Sequence, residues 1–447
     1  MQQDTVATIV ACATGHVQAG ISIVRISGPD AKKVGAQLSQ RQVPKPNQAS
    51  YRRIYDKQGD EIDRGILIYF QAPASFTGED LVEIHSHGSP YIVQQIIEAC
   101  LGPGVELAKP GAFSERAFLN GKIDLVQAEA IADLIASQTK AQAVAANASV
   151  QGAFSQEVHK LQDALTQIRT QLEAMIDFSD QAISTEHEQS ILSHLQKVAD
   201  QSDTLIEKVK RSIMTQAGLQ VVLLGEPNVG KSSLLNQLTQ QDYAIVTDIP
   251  GTTRDTLRAR VAHQGQSLEI IDTAGLRDSV DPIESIGIQK AIQAVQSADV
   301  IWLVVDAAKT TEEKVRQQLT HIPREKQPVL LRVGNKCDQI DEQPRPPFLD
   351  MMVSAIRGDN MVSLLDLTLE KAGRSEQVVP FSARKRHLLA LEAFRESVQH
   401  AIDAPAGLAE LIAEDLRQAQ QSLSEITGEF HSEDLLDAIF RTFCLGK

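Results

Sequence analysis

The chain has 447 residues and carries 58 acidic against 43 basic side chains, which gives a formal net charge of −15 at pH 7. This acidic balance excludes indiscriminate nucleic-acid binding, because contacts with phosphate require an excess of lysine and arginine. The length allows about three domains. The longest apolar runs are too short to span a bilayer, so we expect no membrane contact.

The cysteines and the first residues favour a cytoplasmic protein. Cys12, Cys100, Cys337 and Cys444 are unclustered and have neither metal-ligand spacing nor a disulfide framework. This pattern suits a reducing compartment. The first residues lack the basic-then-apolar order of a signal peptide. We therefore expect a cytoplasmic location.

The first part of the chain, residues 1–119, alternates short β-like runs with turns and is predicted to form a compact α/β domain. Apolar runs at 19–28, 65–70 and 81–85 are its candidate strands, and residues 91–100 are a candidate helix. After residue 119 the hydrophobic period changes from that of strands to that of helices. A second domain is therefore predicted to begin at residue 120.

Helical periodicity occurs on both sides of a central α/β segment. Leu161, Leu165, Ile168 and Leu172 follow one another at four-three spacing within residues 120–214, and a similar apolar face recurs within residues 377–447. The simplest interpretation is one helical domain that is split by an inserted domain at residues 215–376. Residues 384–387, Arg-Lys-Arg-His, open a helix after the insert, where a contact with nucleic-acid phosphate and a solvated first turn are equally good interpretations.

The inserted segment contains a phosphate-binding motif. Residues 225–232, GEPNVGKS, fit G-x-x-x-x-G-K-[ST] between an apolar strand-like run and a helical run. In this context the loop N–H groups cradle phosphates at the start of a helix. Lys231 is expected to reach the β- and γ-phosphates, and the hydroxyl of Ser232 is expected to bind Mg²⁺.

Three further motifs follow apolar strand-like runs and turn a nucleotide site into a GTP site. The first, DTAG, begins at Asp272, which is expected to hold Mg²⁺ through water. The second, NKCD, ends at Asp338, which can accept the N1–H and 2-amino group of guanine, a donor pair that adenine lacks. The third is Ser354-Ala355, whose backbone would donate to guanine O6. Four motifs in this order predict a GTPase domain.

The predicted GTP contacts include these motifs and the loop between the first two. In that loop Thr253 is assigned to the Mg²⁺ shell by its similarity to the first switch of TRAFAC-class GTPases. The full predicted GTP-binding set is Asn228, Val229, Gly230, Lys231, Ser232, Ser233, Thr247, Asp248, Ile249, Pro250, Gly251, Thr252, Thr253, Asp272, Thr273, Ala274, Gly275, Asn335, Lys336, Asp338, Ser354 and Ala355.

Hydrolysis must proceed without the usual glutamine. Leu276 follows the DTAG motif where Ras-like GTPases carry the residue that orients water. Asn228 is a candidate ligand for a monovalent cation that would neutralise phosphate charge; the alternative is that it only shapes the loop. Arg254 and Arg277 are rival sources of positive charge, or solvated side chains. Glu284 is either a water-orienting acid or an ordinary surface residue.

The chain as a whole closely resembles the MnmE (TrmE) family of tRNA-modification GTPases. The most specific segments lie outside the GTPase motifs: residues 20–28, GISIVRISG; 75–80, SFTGED; 116–125, RAFLNGKIDL; and 443–447, FCLGK. The resemblance implies a multidomain α/β plus all-α fold. It comprises an N-terminal folate-binding-type and dimerisation domain, a discontinuous helical bundle, and an inserted Ras-like doubly wound G domain.

The resemblance also implies an activity and its cofactors. The family modifies C5 of the wobble uridine of certain tRNAs to the aminomethyl or carboxymethylaminomethyl form. It uses GTP with Mg²⁺ and K⁺, and 5,10-methylene- or 5-formyl-tetrahydrofolate as one-carbon donor. A homodimer is implied, together with a partner protein that uses FAD and NADH and completes a heterotetramer. A regulatory RNA- or ribosome-associated switch GTPase is the alternative, but such proteins lack the folate-type domain and the Cys-Leu-Gly-Lys tail.

Several residue roles follow from the resemblance alone. Glu284 matches the water-orienting glutamate, and Cys444 is either a reactive thiol or a small apolar plug. The implied K⁺ ligands are Asn228, Thr247, Ile249 and Thr252, and the implied Mg²⁺ ligands are Ser232 and Thr253. The implied folate ligands are Arg25, Glu83, Lys122 and Lys447. A folate has an anionic tail that attracts cations and a pterin whose N–H groups suit a carboxylate.

Overall fold

The computed structural model describes residues 7–15, 18–177, 185–240, 258–272, 295–319, 328–340, 345–374, 379–405, 408–429, 433–443 and 446. The chain forms two compact units. The first comprises Met1–Ile135, Asn147–Ile206 and Lys385–Lys447, and the second comprises Ala136–Ala146 and Glu207–Arg384. None of the described helices is both long enough and apolar enough to cross a membrane.

A six-stranded mixed sheet forms the N-terminal part of the first unit, in the order β3-β4-β5-β2-β1-β6. Only the pairing of β1 with β6 is parallel. The alternation of apolar and polar residues along β2 and β5 buries Val24, Ile26, Val82 and Ile84 on one face, where α1 and α2 cover them. The elements are β1 Thr8–Cys12, β2 Ala19–Ser27, α1 Ala31–Ser39, β3 Ser50–Tyr55, β4 Glu61–Phe70, β5 Leu81–Gly88, α2 Pro90–Cys100, β6 Val105–Leu107 and α3 Ala112–Leu119.

Helices form the remainder of the first unit. Leu161, Leu165, Ile168 and Leu172 are buried along one helix, so the four-three spacing does mark a packed seam. That helix (α6) packs against α12, which follows the inserted segment in sequence. Besides α1 to α3, the helices that lie wholly or partly in this unit are α4 Leu125–Ala136, α5 Lys140–Val150, α6 Ala153–Asp177, α7 Thr185–Ala217, α11 Lys385–Asp403, α12 Ala409–Thr427 and α13 Glu433–Phe440.

A second six-stranded sheet organises the second unit, in the order β12-β11-β10-β7-β9-β8. All of its pairings are parallel except that of β8 with β9. Every residue of β10 is buried, as expected for a strand covered on both faces. The elements are β7 Leu219–Leu224, α8 Lys231–Gln240, β8 Arg258–His263, β9 Gln266–Asp272, β10 Val300–Asp306, α9 Glu312–Leu319, β11 Val329–Asn335, β12 Met351–Met352 and α10 Met361–Lys371.

The predicted fold class is confirmed: an N-terminal α/β sheet, a helical region and a doubly wound α/β unit occur in one chain. The neighbouring parallel strands β7, β9, β10 and β11 bring their carboxyl ends to one edge of the second sheet. Ligands of open α/β sheets bind at this edge. The sequence motifs of the inserted segment follow these strand ends.

Candidate functional site

The phosphate loop requires glycine at its first and sixth positions. Gly225 has φ +147°, and a Cβ there would lie 2.1 Å from the carbonyl oxygen of Val304. Gly230 has φ +95°, and its Cβ would lie 2.3 Å from the Asn335 side-chain nitrogen. Side chains at these positions would collide with residues at the ends of β10 and β11, so only glycine lets the loop pack against these strands. The loop geometry therefore fits a phosphate cradle.

The polar side chains at the start of α8 turn toward this loop. Lys231 is buried, and its Nζ donates to the carbonyl oxygens of Gly225 and Glu226, each at 2.9 Å. The Ser232 hydroxyl donates to Oδ2 of the fully buried Asp272 at 2.8 Å. These are the cation, the hydroxyl and the carboxylate that a nucleotide with Mg²⁺ requires, and they lie at one strand edge.

The residues predicted to recognise guanine are tied to the phosphate loop through Asn335. Its Nδ2 donates to the carbonyl oxygen of Val229 at 2.9 Å, and its Oδ1 accepts the backbone N–H of Ala355 at 3.0 Å. The Ser354 hydroxyl donates to Oδ1 of Asp338 at 2.5 Å, which orients that carboxylate. The structure thus brings together predicted residues from the first, third and fourth motifs, although they are distant in sequence.

A charged residue that the sequence reasoning missed lies beside this network. Asp306 ends β10, and its Oδ2 is 2.8 Å from Nζ of Lys336. The same Nζ donates to the carbonyl oxygen of Asn228 at 2.9 Å. Burial raises the pKa of Asp306, but hydrogen bonds from Lys336 and the Ala308 N–H outweigh it, so its pKa lies below the ordinary value. The sequence did contain a signal for this residue, because it is an acid that directly follows an apolar strand-like run.

Two other members of the predicted set lie in or beside the loop. Asn228 is exposed and has φ +63°, and Ser233 is exposed in the first turn of α8. Leu276, Arg254 and Arg277 lie outside the described residues. The same is true of the remaining predicted GTP and metal contacts and of the predicted water-orienting acid: Thr247, Asp248, Ile249, Pro250, Gly251, Thr252, Thr253, Thr273, Ala274, Gly275 and Glu284. Cys444 and Lys447 also lie outside them.

The predicted folate ligands Arg25 and Glu83 form a pair on the N-terminal sheet. They face each other across β2 and β5, and Nη2 and Nε of Arg25 lie 2.8 and 3.0 Å from Oε1 of Glu83. His85 approaches the other carboxylate oxygen at 3.3 Å. The rings of Phe76 and Phe113 flank the guanidinium, each with its centroid 5.7 Å from Cζ. Cation and carboxylate are therefore held together, with two aromatic rings beside the cation.

Lys122, the third predicted folate ligand among the described residues, is held by the loop that carries Phe76. Its Nζ donates to the carbonyl oxygen of Pro73 at 3.0 Å, and its side chain packs beside Gly78. Glu79 anchors this loop by accepting hydrogen bonds from Ser27 at 2.8 Å and from Arg116 at 2.9 Å. Lys122 thus borders the segment that covers Arg25, but it does not contact the Arg25–Glu83 pair.

The C-terminal tail approaches the same sheet. Gly446 has φ +86°, and a Cβ there would lie 2.0 Å from the carbonyl oxygen of Cys12, at the end of β1. Phe440 and Phe443 pack in an apolar cluster with Leu125. The described part of the tail is therefore adjacent to the N-terminal domain. Glycine is required at position 446 by both its backbone conformation and its close contact.

Arg386 and His387, considered for tRNA contact, are engaged elsewhere. Arg386 forms two 2.8 Å hydrogen bonds with the carboxylate of Glu129, and Nε2 of His387 lies 2.9 Å from the same carboxylate. Glu129 is buried on α4. The carboxylate of Glu129 draws these two side chains inward, so a solvated first turn does not describe them, whereas Lys385 in the same turn is exposed. Among the described residues, no group of three or more His, Cys, Asp or Glu could hold a metal ion.

Two family models match the chain. The model described as "GTP-binding protein TrmE N-terminus" matches residues 8–122. The model described as "MnmE helical domain" matches residues 125–444. Two curated relatives bear the name "tRNA modification GTPase MnmE". The protein from Azoarcus sp. (strain BH72) is 43% identical and that from Methylococcus capsulatus is 45% identical, and each alignment covers 98% of this chain and 98% of the relative.

Solved structures match smaller parts of the chain. An Era variant from Aquifex aeolicus with GDP and AlF4− is 22% identical over 42% of this chain and 69% of that chain, with a TM-score of 0.29. The G domain of the T. maritima FeoB iron transporter is 26% identical over 34% of this chain and 98% of that chain, with a TM-score of 0.27. Because these TM-scores are low, the assignment of a family depends on the sequence relatives.

Proposed function

The chain belongs to the MnmE family of tRNA modification GTPases, and on this premise we propose that it is a K⁺-stimulated GTPase that modifies the wobble uridine of certain tRNAs. The observation that carries the proposal is the hydrogen-bonded network through Asn335, which joins the phosphate loop to the guanine-recognition residues. Such a network supports binding of a guanine nucleotide at the strand edge.

Each described residue of this network has a role in the proposed GTP site. Lys231 would exchange its bonds with loop carbonyls for bonds with the β- and γ-phosphates. Ser232 would bind Mg²⁺ directly, and Asp272, its hydrogen-bond partner, would hold the ion's water. Asp338 would accept the two guanine donors. Ser354 would keep the Asp338 carboxylate in the required orientation.

The chain has no glutamine after the DTAG motif, so other residues would stabilise the charge that develops during hydrolysis. Asn228, exposed at the tip of the phosphate loop, would bind K⁺ together with Thr247, Ile249 and Thr252. The bound K⁺ would supply positive charge beside the phosphates. Thr253 would complete the Mg²⁺ shell, and Glu284 would orient the attacking water.

The GTPase proposal is tested by measuring turnover in KCl and in NaCl at matched ionic strength. We expect strong stimulation by K⁺ that is lost in Asn228→Ala. Asn236→Ala is the matched control, because Asn236 is also an exposed asparagine but lies on α8, beyond the loop. Equal rates in the two salts would rule out the K⁺ mechanism and leave an ordinary switch GTPase.

The N-terminal sheet supports the proposed folate site. Arg25 and Glu83 offer a cation and a carboxylate of the kinds that a folate needs, and Phe76 adds an aromatic ring beside them. Glu83 would accept pterin N–H groups, while Arg25, Lys122 and Lys447 would attract the anionic parts of the molecule. The bound 5,10-methylene- or 5-formyl-tetrahydrofolate would supply a one-carbon unit. Cys444 would lie near it as a reactive thiol or as an apolar plug.

Binding of 5-formyl-tetrahydrofolate, measured by isothermal titration calorimetry, tests this site without requiring activity. We expect Glu83→Gln to weaken binding at least about 10-fold, because a carboxylate that accepts charged or polar hydrogen bonds is replaced by an amide. Asp63→Asn is the matched control, since Asp63 also lies on this sheet but bonds His87 instead. Equal weakening by both variants would contradict a specific role for Glu83.

The complete proposed reaction needs further partners. We propose a homodimer formed through the N-terminal domain and a heterotetramer with a flavoprotein that supplies FAD and NADH. Mass spectrometry of tRNA nucleosides after incubation of both proteins with GTP, folate donor and tRNA would detect aminomethyl or carboxymethylaminomethyl uridine. Folate binding distinguishes this proposal from a regulatory RNA- or ribosome-associated switch GTPase, which has no use for the Arg25–Glu83 pair.

A further inference from the structure

Asp306 and Lys336 form a charged contact between two strand ends. Asp306 lies directly beside Asn335 in the register of β10 and β11, and Lys336 follows Asn335 in sequence. The Lys336 Nζ is 2.8 Å from Asp306 Oδ2, while Asp306 Oδ1 accepts the Ala308 N–H at 3.1 Å. Both carboxylate oxygens of Asp306 are therefore occupied, and its orientation is fixed.

The same lysine reaches the phosphate loop. Its second hydrogen bond, at 2.9 Å, goes to the carbonyl oxygen of Asn228. Asn228 has φ +63°, in the left-handed region that is unfavourable for most residues with a side chain, although asparagine tolerates it better than others. A charged hydrogen bond to this carbonyl stabilises the loop conformation in which Asn228 is the exposed tip.

Asp306 is needed because Lys336 has a flexible stem. A lysine ammonium is a strongly hydrated point charge on four methylenes, so it occupies one position only where a partner holds it. The side chain of Asp306 is 11% exposed and that of Lys336 is 25% exposed, so the contact is partly shielded from water. Without the carboxylate, Lys336 would lose its orientation and turn toward solvent.

We propose that Asp306 is a positioning residue, which acts through Lys336 to hold the phosphate loop in the conformation that binds guanine nucleotide. The effect on nucleotide binding requires only that this loop binds phosphates. An additional effect on K⁺ rests on the proposed function, because it requires Asn228 to be a K⁺ ligand. Asp306 itself contacts neither nucleotide nor ion in this scheme.

Affinity for fluorescent mant-GDP, measured with the full-length protein in NaCl, tests the proposal. We expect Asp306→Asn to weaken binding about 5- to 30-fold, which corresponds to the loss of one partly buried charged hydrogen bond. Asp350→Asn is the matched control. Asp350 forms a similar charged pair with Arg332 in the same unit, but neither residue contacts the phosphate loop. We expect its mant-GDP affinity to stay within about 2-fold of wild type.

A double-mutant cycle separates positioning through Lys336 from a general structural role. In a Lys336→Met background, Asp306→Asn should change mant-GDP affinity by less than about 2-fold, because the lysine through which Asp306 acts on the phosphate loop is already absent. Asp306→Asn keeps the shape of the side chain, and circular dichroism confirms that each variant is folded. Wild-type affinity of Asp306→Asn, or the same loss in both backgrounds, would overturn the proposal.

A parallel titration with mant-GTP in KCl and NaCl keeps the two proposals apart. If wild type binds mant-GTP equally in both salts, K⁺ has no effect on nucleotide affinity, and its role in turnover is decided by the rate measurement, while the mant-GDP cycle still decides the role of Asp306. If wild type prefers KCl, Asp306→Asn should reduce that preference, because Asn228 is no longer held. An unchanged preference together with wild-type mant-GDP affinity would contradict the positioning role.

Discussion

Glu129 with Arg386 and Glu83 with Arg25 are the same chemical pair in two different environments of the first unit. In the helical region, Arg386 contacts both oxygens of Glu129 and also donates to the carbonyl oxygens of Glu425 and Ile426. On the N-terminal sheet, Arg25 contacts only one oxygen of Glu83. The first pair is thus saturated by protein groups. In the second pair, the other oxygen of Glu83 is approached by His85 at the longer distance of 3.3 Å, so this pair retains capacity for another partner.

The electrostatic surroundings of the two carboxylates also differ. Burial raises the pKa of Glu129, but His387 and Arg386 outweigh it, so its pKa lies well below the ordinary value. The Glu129 side chain is 2% exposed, against 14% for Glu83. A saturated, sealed pair joins structural elements, in this case α4 and α11. A partly open pair flanked by aromatic rings is better suited to binding a ligand.

Removal of the Glu129 charge should have the largest effect on stability. We expect Glu129→Gln to lower the free energy of unfolding by about 3–5 kcal/mol, because the buried His387 and the half-buried Arg386 would lose their carboxylate. Urea denaturation followed by circular dichroism measures this change. A loss below about 1 kcal/mol would show that the sealed pair is no more important than an exposed one.

Acidification should weaken the same pair. Because the pKa of Glu129 is lowered on folding from its ordinary value of 4.5, its contribution is complete above that pH and is lost as the pH falls below it. The stability difference between wild type and Glu129→Gln should therefore shrink as the pH falls below about 4.5. A difference that grows on acidification would contradict the lowered pKa.

Neutralising Glu83 should affect stability less than neutralising Glu129. We expect Glu83→Gln to lower the free energy of unfolding by about 1 kcal/mol, since Glu83 is more exposed than Glu129 and Arg25 keeps its contacts with the two phenylalanine rings. The same urea titration provides the value. A loss as large as that of Glu129→Gln would make Glu83 a structural residue and remove the contrast between the two sites.

The smallest effect is expected at a fully solvated pair. Glu414 and Arg417 are neighbours on α12, with side chains that are 48% and 55% exposed. Water screens this contact and replaces it when it is broken. We expect Glu414→Gln to leave the urea midpoint unchanged within error. A clear shift of the midpoint would mean that the exposure of these three pairs does not determine how much each contributes to stability.

Local sequence was sufficient for the nucleotide site, because each motif follows directly after a buried strand. The carboxyl ends of adjacent parallel strands necessarily meet at one sheet edge. Gly225, Lys231, Asp272 and Asn335 were therefore predictable as neighbours despite their separation along the chain. Helical periodicity likewise identified the buried seam of α6, since residues four and three apart share one face.

Residues whose roles depend on particular side-chain partners were not identified in the same way. Asp306 looked like an ordinary acid after a strand, and only the register of β10 with β11 brings it to Lys336. Arg386 and His387 looked like a basic helix start, yet α4 supplies a buried carboxylate to them. Arg25 and Glu83 were singled out by family resemblance alone, because isolated charges within strands are usually solvated.

The sequence by itself determined the fold class, the GTP motifs and the family, because these depend on periodicity and on residues that are contiguous or follow strand ends. The tertiary structure decided which charges are partners: Asp306 with Lys336, Glu129 with Arg386, and Glu83 with Arg25. Coulombic and hydrogen-bond contacts act over a few ångströms. Only the packing of strands and helices sets distances on that scale between residues far apart in the chain.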